Sequence, residues 1–107
     1  MKDRGAASIY VATVGLLLAL AGLGVAVRAM EVVAAAQARA AADLGALAGA
    51  ARAALGAEQA CERAEVIVAA NNATMTSCHL DGLEITVAAT VRGQSAAARA
   101  GPVWANG

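Results

Sequence analysis

The run GAASIYVATVGLLLALAGLGVAV, Gly5 to Val27, carries no charged residue over 23 positions. At about 1.5 Å per residue a helix of that length reaches about 34 Å, enough to cross a hydrocarbon core of about 30 Å with a modest tilt. Charges bracket it, with Lys2, Asp3 and Arg4 before and Arg28 and Glu31 after. The sequence therefore predicts a membrane-spanning helix over 6–27, preceded by a charged scrap, 1–5. The helical pattern does not end there. Residues 28–55 contain no proline and are dominated by alanine, the strongest helix former, so one continuous helix is expected from about residue 6 to 55. Its charges, Arg28, Glu31, Arg39, Asp43 and Arg52, are sparse and outline no broad hydrophilic face. Such a helix needs a partner.

Beyond Gly56 the texture changes. Residues 57–70, AEQACERAEVIVAA, read as a shorter helix with Cys61, Ala64, Val68 and Leu55 on its apolar side. Glu58 and Glu62 sit near its start, where the helix dipole favours acids, and Asn71-Asn72 signals a stop. Thr74–Leu80 and Leu83–Val91 then alternate at period two around Asp81-Gly82, a strong two-residue hairpin signal. That register sets Leu80 opposite Leu83, His79 opposite Glu84 and Cys78 opposite Ile85. Thr76, Cys78, Leu80, Leu83, Ile85 and Val87 share the covered face, while Ser77, His79, Glu84 and Thr86 point to water. Ser95–Ala100 forms a weak third strand at most, and Trp104–Gly107 reads as a frayed end. The expected architecture is an α+β, membrane-anchored layout. A long N-terminal helix continues outside the bilayer (28–56) into a small module, 57–107, of one short helix and a hairpin or three-stranded sheet.

Composition sharpens this. Of 107 residues, 33 are Ala and 11 Gly, against one Trp, one Tyr and no Phe. Small side chains recur at Ala12, Gly15, Ala19, Gly22 and Ala26, a heptad-spaced stripe of the kind on which membrane helices approach closely. Gly45 and Gly49 form a GxxxG pair further on. Eight basic and eight acidic residues cancel, so no electrostatic footprint for nucleic acid exists. Ser8 and Thr13 are lone hydroxyls of the kind that bond back to their own helix. His79 and Glu84 belong to a wet strand face without a nucleophile, and Asp43 is expected to be solvated rather than paired. No phosphate loop, carboxylate pair, metal spacing or cofactor motif is present. A non-catalytic protein with no small-molecule substrate is expected.

Cys61 and Cys78 both follow the span. Two cysteines in a small module outside the cytosol usually pair, whereas a metal site would want more ligands than these and His79. The basic residues on the N-terminal side agree with a cytoplasmic N-terminus and 28–107 outside. The 16 residues between the cysteines make a loop whose closure contributes about 3 kcal/mol in a chain-entropy model.

This order of elements resembles the pilins and pseudopilins of type IV-like assembly systems. It is most similar to the short TadE-like proteins of tight-adherence (Tad/Flp) pilus loci in high-GC Gram-positive bacteria. The resemblance covers nearly the whole chain. It is carried by Asp3-Arg4-Gly5-Ala6-Ala7-Ser8, by Gln37–Ala48 with its Ala-Asp43 followed by an Ala-Leu-Ala run, by Cys61, by Ser77-Cys78 with Asp81-Gly82-Leu83, and by Ala98–Pro102. It implies a structural subunit whose leader is removed by a prepilin peptidase between Gly5 and Ala6. It also implies that the subunit works with other pilin-like subunits and the Tad assembly platform, in the membrane or in an extracellular filament. Major pilins carry Glu at the fifth mature position, where this chain has Tyr10; a minor or tip pseudopilin fits better. Two other readings remain compatible with the residues. One is a soluble secreted protein released after Ala19-Leu20-Ala21, and the other an uncleaved single-span accessory protein of a secretion machine.

Overall fold

In a computed structural model, which describes residues 2–102, the chain folds as α1 (Lys2–Ala50), a 3-10 turn (Ala53–Leu55), α2 (Ala57–Ala70) and strands β1 (Thr74–Asp81), β2 (Glu84–Val91) and β3 (Gln94–Ala100). This is the expected α+β, pilin-like layout, with the sheet three-stranded. The chain divides into two units, Met1–Met30 and Glu31–Gly107. In the first, every residue from Gly5 to Met30 is exposed. It holds a helix long and apolar enough to cross a membrane, and none of its most apolar stretch is covered by protein.

The second unit has a core made largely of alanine. From α1 it takes Ala34, Ala38, Ala41, Ala42 and Ala46, from α2 Ala60, Ala64 and Val68, and from the sheet Ile85, Val87, Ala89, Val91 and Ala98. The α1 positions recur every three or four residues, so they form one face of the helix. Helix α1 ends five residues before the expected boundary. Past Ala50 the backbone bonds tighten, with Arg52 N donating to the Gly49 carbonyl at 2.9 Å rather than to the residue before it in the α pattern. Gly56 then turns the chain at φ 108°, a conformation that side chains rarely adopt. Leu55 is carried outward and stays 67% exposed instead of joining the core.

Helix α2 ends as Asn71-Asn72 foretells. Asn72 adopts φ 58°, and the amides of Asn72 and Ala73 donate to the carbonyls of Ala69 and Val68. That pairing closes a helix end through one left-handed residue. The sheet is an antiparallel meander in the order β1-β2-β3. Its central strand alternates strictly, with Ile85, Val87, Ala89 and Val91 buried. At the second hairpin Arg92 and Gly93 both take positive φ, 49° and 81°. That is the pattern of a turn whose twist matches the strands it joins.

The first hairpin differs from the sequence register. Asp81 pairs with Glu84, Leu80 with Ile85, His79 with Thr86 and Cys78 with Val87. The turn is Gly82-Leu83 rather than Asp81-Gly82, because only Gly82 takes positive φ (63°). A turn with glycine first needs just one such residue, whereas placing Asp81 there would need two. The displacement moves each partner by two positions, so the faces survive. Two residues do change role. Leu83 enters the turn and is 37% exposed. A register break between Met75 and Ser77 turns Met75, not Thr76, toward the core, as an extra residue in one strand does.

Candidate functional site

The described residues of the second unit present a disulfide, a close helix contact and two surface recesses. No group of three metal-ligating side chains occurs among them. No buried polar side chain does either. His79 stands exposed on β1, opposite Thr86. Glu84 instead faces Arg99 at 3.6 Å. Thr13 donates its hydroxyl to the Ile9 carbonyl at 2.8 Å, the back-bond expected of a lone hydroxyl in such a helix. Asp43 is half exposed but not unpaired, since Arg39 Nε lies 3.5 Å away one turn earlier on α1.

Cys61 and Cys78 form a disulfide with a Cα–Cα distance of 5.8 Å. Both elements aim them at each other. Cys61 lies beside the buried Ala60–Ala64–Val68 stripe of α2, and Cys78 is on the helix-facing side of β1. The bond ties α2 to an edge strand, closing the side of the core that β3 does not reach.

Gly5 and Ala6, where the leader junction is expected, are exposed residues within α1, and a side chain added at Gly5 would meet nothing within 4 Å. Ala12, Gly15, Ala19, Gly22 and Ala26 are also exposed, and Gly15 and Gly22 likewise have open space around them. Within its own unit the stripe contacts no other element.

Gly45 and Gly49 behave oppositely, and the sequence did not reveal this. A Cβ at Gly45 would sit 2.6 Å from Val68 Cγ2, and one at Gly49 would sit 2.5 Å from Ile85 Cδ1 and 2.9 Å from the Ala60 carbonyl oxygen. The GxxxG pair is thus consumed inside the chain, where α1 meets the Ala60–Ala64 side of α2. The signal was present as the spacing of Ala34, Ala38, Ala41, Ala42, Gly45, Ala46 and Gly49, hidden among alanines that face water. Sequence reasoning also missed Arg39. Its guanidinium donates to the Ala97 carbonyl of β3 at 2.8 Å, covering part of an edge that would otherwise offer unpaired backbone.

Two recesses lie side by side at the end of the sheet. One, about 380 Å³, is bounded by Leu47, Ala50, Ala51, Ala54, Leu83, Gly101 and Pro102. The other, about 230 Å³, is bounded by Leu47, Glu84, Arg99, Ala100 and Gly101. The first is lined only by residues with apolar side chains or none, with no acid, base or nucleophile among them.

Comparison of the chain with family models, with curated proteins and with solved structures returns no match.

Proposed function

We propose that this protein is a non-catalytic, membrane-inserted minor pseudopilin, an assembly subunit of a Tad-type pilus or related secretion machine. One observation carries the reading. A single helix element, α1, supplies both a stretch that no protein covers, from Gly5 to Met30, and the alanine face on which the disulfide-closed α+β module is built. An uncovered apolar stretch with small residues on one side suits a lipid environment first and packing against similar helices second. In this reading the N-terminus is cytoplasmic and the module lies outside. A prepilin peptidase cleaves between Gly5 and Ala6, and the Ala12–Gly15–Ala19–Gly22–Ala26 stripe meets neighbouring pilin-like subunits.

The secreted-protein reading has one observation in its favour. Among the described residues, every buried one lies between Ala34 and Ala98, so removal of the first 21 or so residues would leave that core whole. The intact mass of the mature protein, made in a host with its own prepilin peptidase, decides. Loss of residues 1–5 supports the pseudopilin, loss through Ala21 the secreted protein, and an uncut chain the accessory protein. Gly5→Leu should leave the leader attached, with N-terminal sequencing no longer starting at Ala6.

A further inference from the structure

The second unit has an apolar recess with no occupant among the described residues, and it opens where the described chain ends. Leu47 is 63% exposed and Leu83 37% exposed on its walls, and the small residues Ala50, Ala51, Ala54 and Gly101 line it between them. Gly101 lies flush on the first hairpin, where an added Cβ would come within 3.2 Å of Glu84 Cα and 3.3 Å of the Leu83 carbonyl oxygen. Pro102 completes the lining at that point. Two residues further on is Trp104, the only indole in the chain. At about 3.3–3.6 Å per residue, two residues reach at most about 7 Å.

We propose that this recess is the docking site of the chain's own C-terminal segment, with the Trp104 side chain as its occupant. Size and chemistry agree, since about 380 Å³ walled by leucine, alanine and proline accommodates a large flat apolar ring. Tethering favours this occupant over a free one, because a short linker holds the ring at an effective concentration in the millimolar range. The contact covers Leu47 and Leu83, the large apolar side chains at this end of the core, and gives the aromatic-poor module its single aromatic contact.

Trp104 fluorescence tests this in the full-length protein in detergent micelles, excited where tyrosine does not absorb. Wild type should emit to the blue of N-acetyl-tryptophanamide and be quenched several-fold less by acrylamide. Ala54→Glu, a change at an exposed recess position, should shift emission to the red and restore quenching while the Cys61–Cys78 bond stays closed. Leu83→Ser should do the same. Emission like that of free tryptophanamide in wild type overturns the proposal. So does blue emission that neither variant moves, which would put the ring in detergent. A shift that grows with protein concentration also overturns it, since a second copy would then be the occupant.

Discussion

Gly49 is the position where the packing of α1 against α2 can be tested most sharply. Replacing it with alanine ought to help an isolated helix by about 1 kcal/mol, because glycine is that much the poorer helix former. In this structure the new methyl would stand 2.9 Å from the Ala60 carbonyl oxygen and 2.5 Å from Ile85 Cδ1. The Ile85 methyl is the end of a side chain and can rotate, but it is fully buried, so it must move into occupied space. The carbonyl belongs to helix backbone and moves only with α2 itself. Overpacking of this kind costs about 1–3 kcal/mol. The net expectation for Gly49→Ala is a loss of about 0–2 kcal/mol, and Gly49→Val, with two further methyl groups, should lose more. For a unit of this size each kcal/mol corresponds to about 4–8 °C in Tm. Gly45→Ala provides the internal comparison. It meets Val68 Cγ2 at 2.6 Å, a side chain as buried as Ile85, but the nearest backbone atom, the Ala64 oxygen, is at 3.3 Å, so the helices themselves need shift less. The order of melting temperatures should be wild type, then Gly45→Ala, then Gly49→Ala, then Gly49→Val. The assay is the temperature at which trypsin begins to cut at Arg63 and Arg92 in full-length protein held in micelles. A Gly49→Ala protein that melts higher than wild type by the helix-propensity increment would refute the close approach of the two helices.

Three further outcomes are expected. Gly15→Leu or Gly22→Leu should weaken crosslinking to neighbouring pilin-like subunits while leaving the tryptic melt of the module unchanged, since neither glycine has an atom near its missing side chain; Leu17→Ala or Leu18→Ala should matter less, and equal effects would reduce the stripe to composition. Cys61→Ser or Cys78→Ser should cost about 3 kcal/mol from the loss of loop closure, read as proteolytic loss of the module without loss of membrane insertion, and thiols in native-envelope protein should resist alkylation until reduced. Arg39→Ala should lower the melt by no more than the equivalent of about 1 kcal/mol, because the group it loses is largely solvated and such surface contacts are weak; a larger effect would mean that the Ala97 carbonyl cannot find water in its place.

Most elements of this fold were legible because each carried a local signature; β3, read only as a weak strand, and the end of α1 at Ala50 carried none. An unbroken apolar run, Gly56, the Asn71-Asn72 stop and two alternating segments around a glycine turn are one-dimensional signals, and α2 falls on 57–70 as read. The disulfide was legible for the same reason, since period-two alternation fixes the face of Cys78 and survives the register change. What stayed hidden depended on contacts between elements. Alternation cannot distinguish a turn at Asp81-Gly82 from one at Gly82-Leu83, because the two registers bury the same faces. The break between Met75 and Ser77, which brings Met75 rather than Thr76 against the core, carries no signal in the alternation itself. Asp43 and Arg39 sit one turn apart on α1, a spacing visible in the sequence, but that Arg39 also reaches β3 requires the third strand to be in place. In an alanine-rich helix the buried face is nearly invisible, because buried and exposed positions carry the same residue.

That last point bears on why the module needs its staple. Among the described residues the largest fully buried side chains are Ile85, Val68 and Val87, and nearly all the rest of the core is alanine. Hydrophobic stabilisation scales with apolar area removed from water, at about 25 cal/mol per Å², and a methyl side chain supplies little area for each residue that must be ordered. Close approach of α1 and α2 recovers part of this through dispersion, since Gly45 and Gly49 bring backbone against backbone and leave few gaps. It also forbids the usual remedy of larger core residues, because the space into which a leucine or phenylalanine would reach at 45 or 49 is already filled by Val68, Ile85 and the α2 carbonyls. Enlarging this face would push the helices apart and open the core it was meant to fill. A module built this way gains stability by constraining its unfolded state, and a covalent link between α2 and β1 does that without occupying core volume.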